Sequence, residues 1–121
     1  MTAAVATRAL TGGLGGDPRS GRRRTLPRLL FEQAAARPDA PFMRVKRHGV
    51  WTPVSWAGFA GQVRTVALAL ARQGVGDGDV VAAVSENLPE LYLIEYAAQC
   101  LGAAVTCLYP DASADELGYI I

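Results

Sequence analysis

The sequence predicts an α/β fold, and three observations carry that prediction. Val80 to Val84 is a continuous apolar run, which suits a strand covered on both faces. Val105 to Tyr109 reads as a second strand. Between them lies an apolar segment of helical length, Leu88 to about Leu101. Strand, helix and strand within about 30 residues make a parallel βαβ unit, whose crossover is expected to be right-handed.

The elements follow in order. Residues 1–24 hold five glycines and a proline, Gly12, Gly13, Gly15, Gly16, Gly21 and Pro18, with few large apolar groups. Such a stretch buries too little surface to offset chain entropy and is expected to be a flexible leader. Thr25 is a candidate cap for a first helix, with Leu26, Leu29, Leu30 and Ala34 at helical spacing and Pro27 tolerated in the first turn. Arg37-Pro38-Asp39 marks a turn. Phe42 to Lys46 and Val50 to Val54 read as a hairpin around Arg47-His48-Gly49. Ser55 caps a second helix, where Trp56, Phe59, Val63, Val66, Ala67 and Leu70 form one apolar stripe and Arg64, Arg72 and Gln73 lie off it. Gly74 stops it. Asn87 with Glu90 three residues later predicts the cap of the third helix, with Pro89 in its first turn and Gly102 at its end. Ser113 with Glu116 predicts a capping box on a last helix running toward Ile121.

Charge and cysteine content exclude several functions. The formal net charge is +1, which gives no general attraction to nucleic acid or membrane. Residues 1–24 hold five arginines against Asp17 alone, so the leader is basic and residues 25–121 are mildly acidic. The Arg22-Arg23-Arg24 cluster would bind phosphate only weakly in salt. Cys100 and Cys107 cannot make a disulfide framework, and their apolar neighbours predict buried, reduced thiols in a cytoplasmic protein. No apolar run reaches the ~20 residues of a membrane span, and no secretory signal follows the arginines.

Candidate chemistry is sparse. A phosphate cradle needs glycines after a strand and before a helix. Gly74, Gly76 and Gly78 instead follow a helix and precede a strand, and Thr11 to Gly16 lacks the flanking strand. The loop Ser85-Glu86-Asn87 is better placed, at the carboxyl end of a parallel strand where α/β folds bind ligands. Its strand-exit and capping work already account for it. Glu86, Glu90 and Glu95 line up only in part at helical spacing, and a dipole-favoured helix start accounts for the first two. His48 is the only histidine and falls in the hairpin turn, away from a nucleophile or a second metal ligand. A Ser–His or Cys–His pair stays open, with nothing in the spacing to orient it. No metal-ligand spacing occurs.

From Thr25 onward the chain resembles the N-terminal part of the adenylate-forming superfamily, the AMP-forming acyl-CoA synthetases and their kin. Three stretches carry the resemblance: Trp51-Thr52-Pro53-Val54-Ser55-Trp56; Gly74-Val75-Gly76-Asp77-Gly78-Asp79-Val80-Val81-Ala82 with Glu86-Asn87-Leu88-Pro89-Glu90; and Leu101-Gly102-Ala103-Ala104-Val105-Thr106-Cys107-Leu108-Tyr109-Pro110. Asp115 to Ile121 continues in register. Leu108-Tyr109-Pro110 with Asp111-Ala112-Ser113 is similar to long-chain fatty acyl-CoA ligases.

The resemblance implies a partial AMP-binding domain at 25–121, the opening portion of a large layered α/β domain that is truncated here. It implies a two-step reaction in the full-length family, using ATP, Mg²⁺ and CoA. The family's phosphate loop and later lysine have no counterpart here, and Lys46, the only lysine, sits in the hairpin instead. No catalytic, cofactor-binding or metal residue is therefore carried over. The expected partner is the remainder of the ligase or a homodimer mate. The alternatives are a non-catalytic dimerisation or regulatory module, and a small nucleotide-binding βαβ protein, which the misplaced glycines oppose. Uncovered strand edges and the apolar end from Leu117 to Ile121 predict poor solubility of the chain alone.

Overall fold

A computed structural model describes residues 25–121. The expected leader, its glycine cluster and the Arg22-Arg23-Arg24 run lie outside the described residues. The order is α1 (Leu26–Ala36), β1 (Pro41–Arg47), β2 (Val50–Ser55), α2 (Trp56–Arg72), β3 (Val80–Val84), α3 (Pro89–Cys100), β4 (Ala104–Leu108) and α4 (Ala114–Ile120).

Local chemistry sets most boundaries. Thr25 Oγ1 accepts from the Arg28 N–H at 3.4 Å, and Ser55 Oγ from the Gly58 N–H at 3.1 Å, so both predicted caps start their helices. β1 and β2 pair antiparallel. Their turn is two residues, His48 and Gly49, with φ of 49° and 81°. Two left-handed residues in succession make the turn whose twist matches that of the flanking strands. β3 and β4 pair parallel, from Val80 opposite Ala104 to Val84 opposite Leu108. The βαβ unit is therefore as expected, with β4 beginning one residue earlier.

Two buried clusters hold the layers together. Leu30, Phe59, Ala60, Val63, Ala67 and Ala97 join α1, α2 and α3, with Phe42, Met43 and Val54 of the hairpin packed against them. Val75, Val81, Ala83, Ile94, Ala98 and Ala103 join α3 to the β3–β4 ribbon. Val66 and Leu70 touch both clusters, so the predicted stripe of α2 spans the whole body. Phe59 is 0% exposed. Its ring lies 4.6 Å from Phe42 and 5.7 Å from Tyr96, the second contact edge-on. α3 is the shared wall: of its residues only Tyr92 and Cys100 are exposed.

Two expectations are corrected. Cys100 and Cys107 are exposed, not buried. The buried stripe of α3 is Ile94, Ala97 and Ala98, and Cys100 falls off it at the last helical residue. Cys107 lies on β4, which has no strand beyond it among the described residues. The second correction concerns Asn87, which is not the cap of α3. Leu88 holds that position, with φ −116° and ψ 159° and no side-chain cap bond. Pro89 is the cause: it disfavours helical geometry in the residue before it, so the helix can start only at the proline itself.

Candidate functional site

The carboxyl edge of β3 and β4 is where a ligand would be expected in an α/β unit. β3 leads into Ser85, Glu86 and Asn87, and β4 into Tyr109, Pro110 and Asp111. The ladder extends one bond past the strands, from the Ser85 N–H to the Leu108 carbonyl at 3.2 Å. Ser85 Oγ donates to the Glu86 carbonyl at 2.9 Å, and the Leu88 N–H donates to the same carbonyl at 2.8 Å. Asn87 Oδ1 accepts from the Tyr92 hydroxyl at 2.7 Å. The two glutamates at this helix start divide: Glu86 is exposed, while Glu90 reaches the hairpin and pairs with Arg47 at 3.1 Å.

On the β4 side the Ala112 N–H donates to the Tyr109 carbonyl at 3.2 Å, closing a turn with Pro110 at its second position. A depression of about 470 Å³ lies beside it, lined by Leu108, Tyr109, Asp111 and Glu116 among others. Its charged groups are acidic. Glu116 is already engaged, accepting from the Ser113 N–H at 2.8 Å and the Ser113 hydroxyl at 2.9 Å. Those bonds hold its carboxyl below the usual range.

The nucleophile candidates are not brought together. The hydroxyls of Ser55, Ser85 and Ser113 serve a helix start, a loop carbonyl and a capping box. His48 sits at the hairpin turn with a left-handed backbone. Burial pushes both thiols up, and the Glu95 carboxylate adds to this at Cys107. A raised thiol is the wrong direction for a nucleophile.

The described residues at this edge do not form a glycine-rich phosphate cradle. The β3–α3 loop contains no glycine. Gly74, Gly76 and Gly78 stand at the opposite, amino end of β3, and the Gly76 N–H is committed to Asp79 Oδ2 at 2.8 Å. Among the described residues no group of three or more His, Cys, Asp or Glu could hold a metal ion.

The sequence reading missed a second concave feature. A groove of about 570 Å³ runs between β1 and the start of α3. Its signal was present as Arg44 and Lys46, alternating along β1 with no acidic residue in either strand.

Residues 30–121 match the family described as AMP-binding enzyme. The chain belongs to the AMP-binding enzyme family. A long-chain-fatty-acid–CoA ligase of Mycobacterium bovis is 31% identical over 93 residues, covering 77% of this chain and 16% of that protein. Acetoacetyl-CoA synthetase from Streptomyces lividans is 30% identical with a TM-score of 0.68, over 74% of this chain and 14% of that one. NpsA of Klebsiella oxytoca, solved with 3-hydroxyanthranilyl-AMSN, shares the fold at a TM-score of 0.72 and 21% identity, over 82% of this chain and 20% of that one. The α/β architecture expected of an AMP-binding enzyme is therefore present. The chain spans no more than about a fifth of the length of these three AMP-binding relatives and neighbours. No described helix is long and apolar enough to cross a membrane.

Proposed function

We propose that this chain is scaffold of an AMP-forming ligase that activates a fatty acid with ATP and passes the acyl group to CoA. In this reading residues 25–121 form part of the AMP-binding domain, residues 1–24 are a flexible basic leader, and the protein acts in the cytoplasm. The observation that carries it is the 31% identity to a long-chain-fatty-acid–CoA ligase along a stretch equal to 16% of that enzyme. The site geometry supports a scaffold role: the polar side chains at the carboxyl edge are tied to their own loops and to Tyr92. The bonded residues there hold a strand end and two helix starts in place.

The partner in this reading is the rest of the ligase, or a second copy in a dimer. Tyr109 is 78% exposed and Tyr119 93% exposed, and large exposed rings favour a covering layer. The test is ATP–pyrophosphate exchange by the purified chain with palmitate. The expected result is no exchange above the protein-free blank. Exchange that depends on both palmitate and the chain would overturn the scaffold reading.

A further inference from the structure

The groove beside β1 has the features of a place for an added strand. β1 pairs with β2 on one side, and no strand lies on its other side among the described residues. The turn determines which backbone groups face that free side. Across a two-residue turn Arg47 and Val50 form the first hydrogen-bonded pair, and bonded and unbonded pairs then alternate. Arg44 opposite Pro53 is thus a pair without ladder bonds. Pro53 agrees with that phase, because it has no N–H to give to the ladder. Arg44 and Lys46 therefore direct their N–H and C=O groups away from β2.

Beyond them lies the groove. Its near wall is five consecutive residues of β1, 42–46, with Trp51 of β2 beside Lys46. Side chains alternate across a strand, so an unbroken run of residues means that β1 presents its edge rather than a face. The far wall is formed by Leu88, Pro89, Tyr92 and Tyr96, with Asn87 fixing the Tyr92 hydroxyl. One side of the site is apolar and aromatic, and the other offers main-chain donors and acceptors. At ~3.3 Å per residue, the exposed edge accommodates about five residues of a partner strand.

Charge selects the partner. Arg44 and Lys46 are exposed, and the Lys46 ammonium lies 5.9 Å from the Trp51 ring centroid at the groove. No aspartate or glutamate lines the groove. A second copy of this edge would set Arg44 and Lys46 against like charges, which cross-strand pairing disfavours. Residues 1–24, with five arginines and one aspartate, carry the same sign. We propose that the free edge of β1 binds an extended peptide of alternating apolar and acidic residues from another polypeptide, as an added strand. Its main chain bonds to Arg44 and Lys46, its acidic side chains face their cationic groups, and its apolar side chains rest on Leu88, Tyr92 and Tyr96.

The test uses the full chain and a fluorescein-labelled hexapeptide, Val-Glu-Val-Asp-Val-Glu, followed by anisotropy. A second probe carries N-methyl groups at alternate residues, which block main-chain donors without changing charge. Saturable binding is expected, at least tenfold weaker for the N-methylated probe. It is also expected to be at least tenfold weaker for an Arg44→Glu, Lys46→Glu double variant of unchanged circular dichroism. No saturable binding of the first probe would overturn the proposal, and so would equal binding of both probes. Displacement by a synthetic peptide of residues 1–24 would assign the groove to that segment instead. Dimerisation that the double variant abolishes would assign it to a second copy.

Discussion

Gly102 has a φ of 80°, and a Cβ built on it would stand 3.2 Å from the Asp77 Cα and overlap the Asp77 carboxylate. Its carbonyl also accepts from the Gly78 N–H at 3.3 Å. The turn before β4 is thereby clasped to the turn before β3, which sets the start of the parallel register. A left-handed backbone costs a non-glycine residue about 1–2 kcal/mol, and a backbone clash adds to that. Gly102→Ala is expected to lose about 2–4 kcal/mol in urea unfolding. Gly49→Ala is the control, since φ there is 81° with nothing within 4 Å of a Cβ. It should lose only the strain, about 1–2 kcal/mol. Equal losses from the two variants would mean that Asp77 moves aside and the clasp is loose.

Phe59 and Glu90 both tie the hairpin to the helices, by different physics. Phe59 is fully buried between Phe42 and Tyr96, and Phe59→Ala is expected to cost about 3–5 kcal/mol through lost burial and the cavity left behind. The Arg47–Glu90 pair is exposed at Arg47 and partly exposed at Glu90, so water and salt screen it. Glu90→Ala is expected to cost about 1 kcal/mol or less. Phe59→Leu keeps the fold measurable if the alanine variant does not fold. A Glu90→Ala loss larger than that of Phe59→Leu in the same denaturation series would reverse this ranking.

Most of the fold was legible because apolar spacing and turn chemistry agree along the chain. The stripe of α2, the capping residues Thr25, Ser55 and Ser113, and the two runs that became β3 and β4 each needed only neighbours in sequence. Features that depend on distant contacts were read less well. Asn87 looked like a cap by its spacing to Glu90, but Pro89 overrode it, and Glu90 went to Arg47, 43 residues away in sequence. Cys100 and Cys107 had apolar neighbours in the chain, but in space those neighbours cover them only in part. The groove beside β1 exists only because α3 returns beside the hairpin, which no local pattern encodes.

Ser113 and Glu116 give α4 a pH-dependent start. The Ser113 N–H and hydroxyl both donate to the Glu116 carboxylate, and the Glu116 N–H donates to Ser113 Oγ at 3.3 Å. These bonds lower the folded carboxyl relative to the unfolded one. The contribution is therefore fully present above the unfolded carboxylate range and is lost as pH falls through the lowered folded value. Amide exchange at Glu116 and Leu117 is expected to lose protection over that acid window. Glu116→Gln keeps an acceptor but no titrating charge, so its protection should show no such step. A step of the same size in the glutamine variant would assign the transition to another group.

Cys107 and Glu95 test whether charge, as well as burial, governs a thiol on β4. Burial raises both thiols, but only Cys107 is also raised by the Glu95 carboxylate. The thiolate is the reactive form, so both cysteines should alkylate more slowly with iodoacetamide at pH 8 than a cysteine in a flexible peptide. Glu95→Gln removes the negative charge and keeps a similar shape. Its expected effect is to bring Cys107 down and speed its alkylation by about twofold or more, with Cys100 unchanged. Site-resolved mass spectrometry reads the two rates from one sample, with Cys100 as the internal reference. Gln99 donates to Glu95 at 3.4 Å, a bond the glutamine variant can retain through its own carbonyl. Equal acceleration of both cysteines would mean that the substitution loosens α3, and that the Cys107 thiol is held up by burial alone.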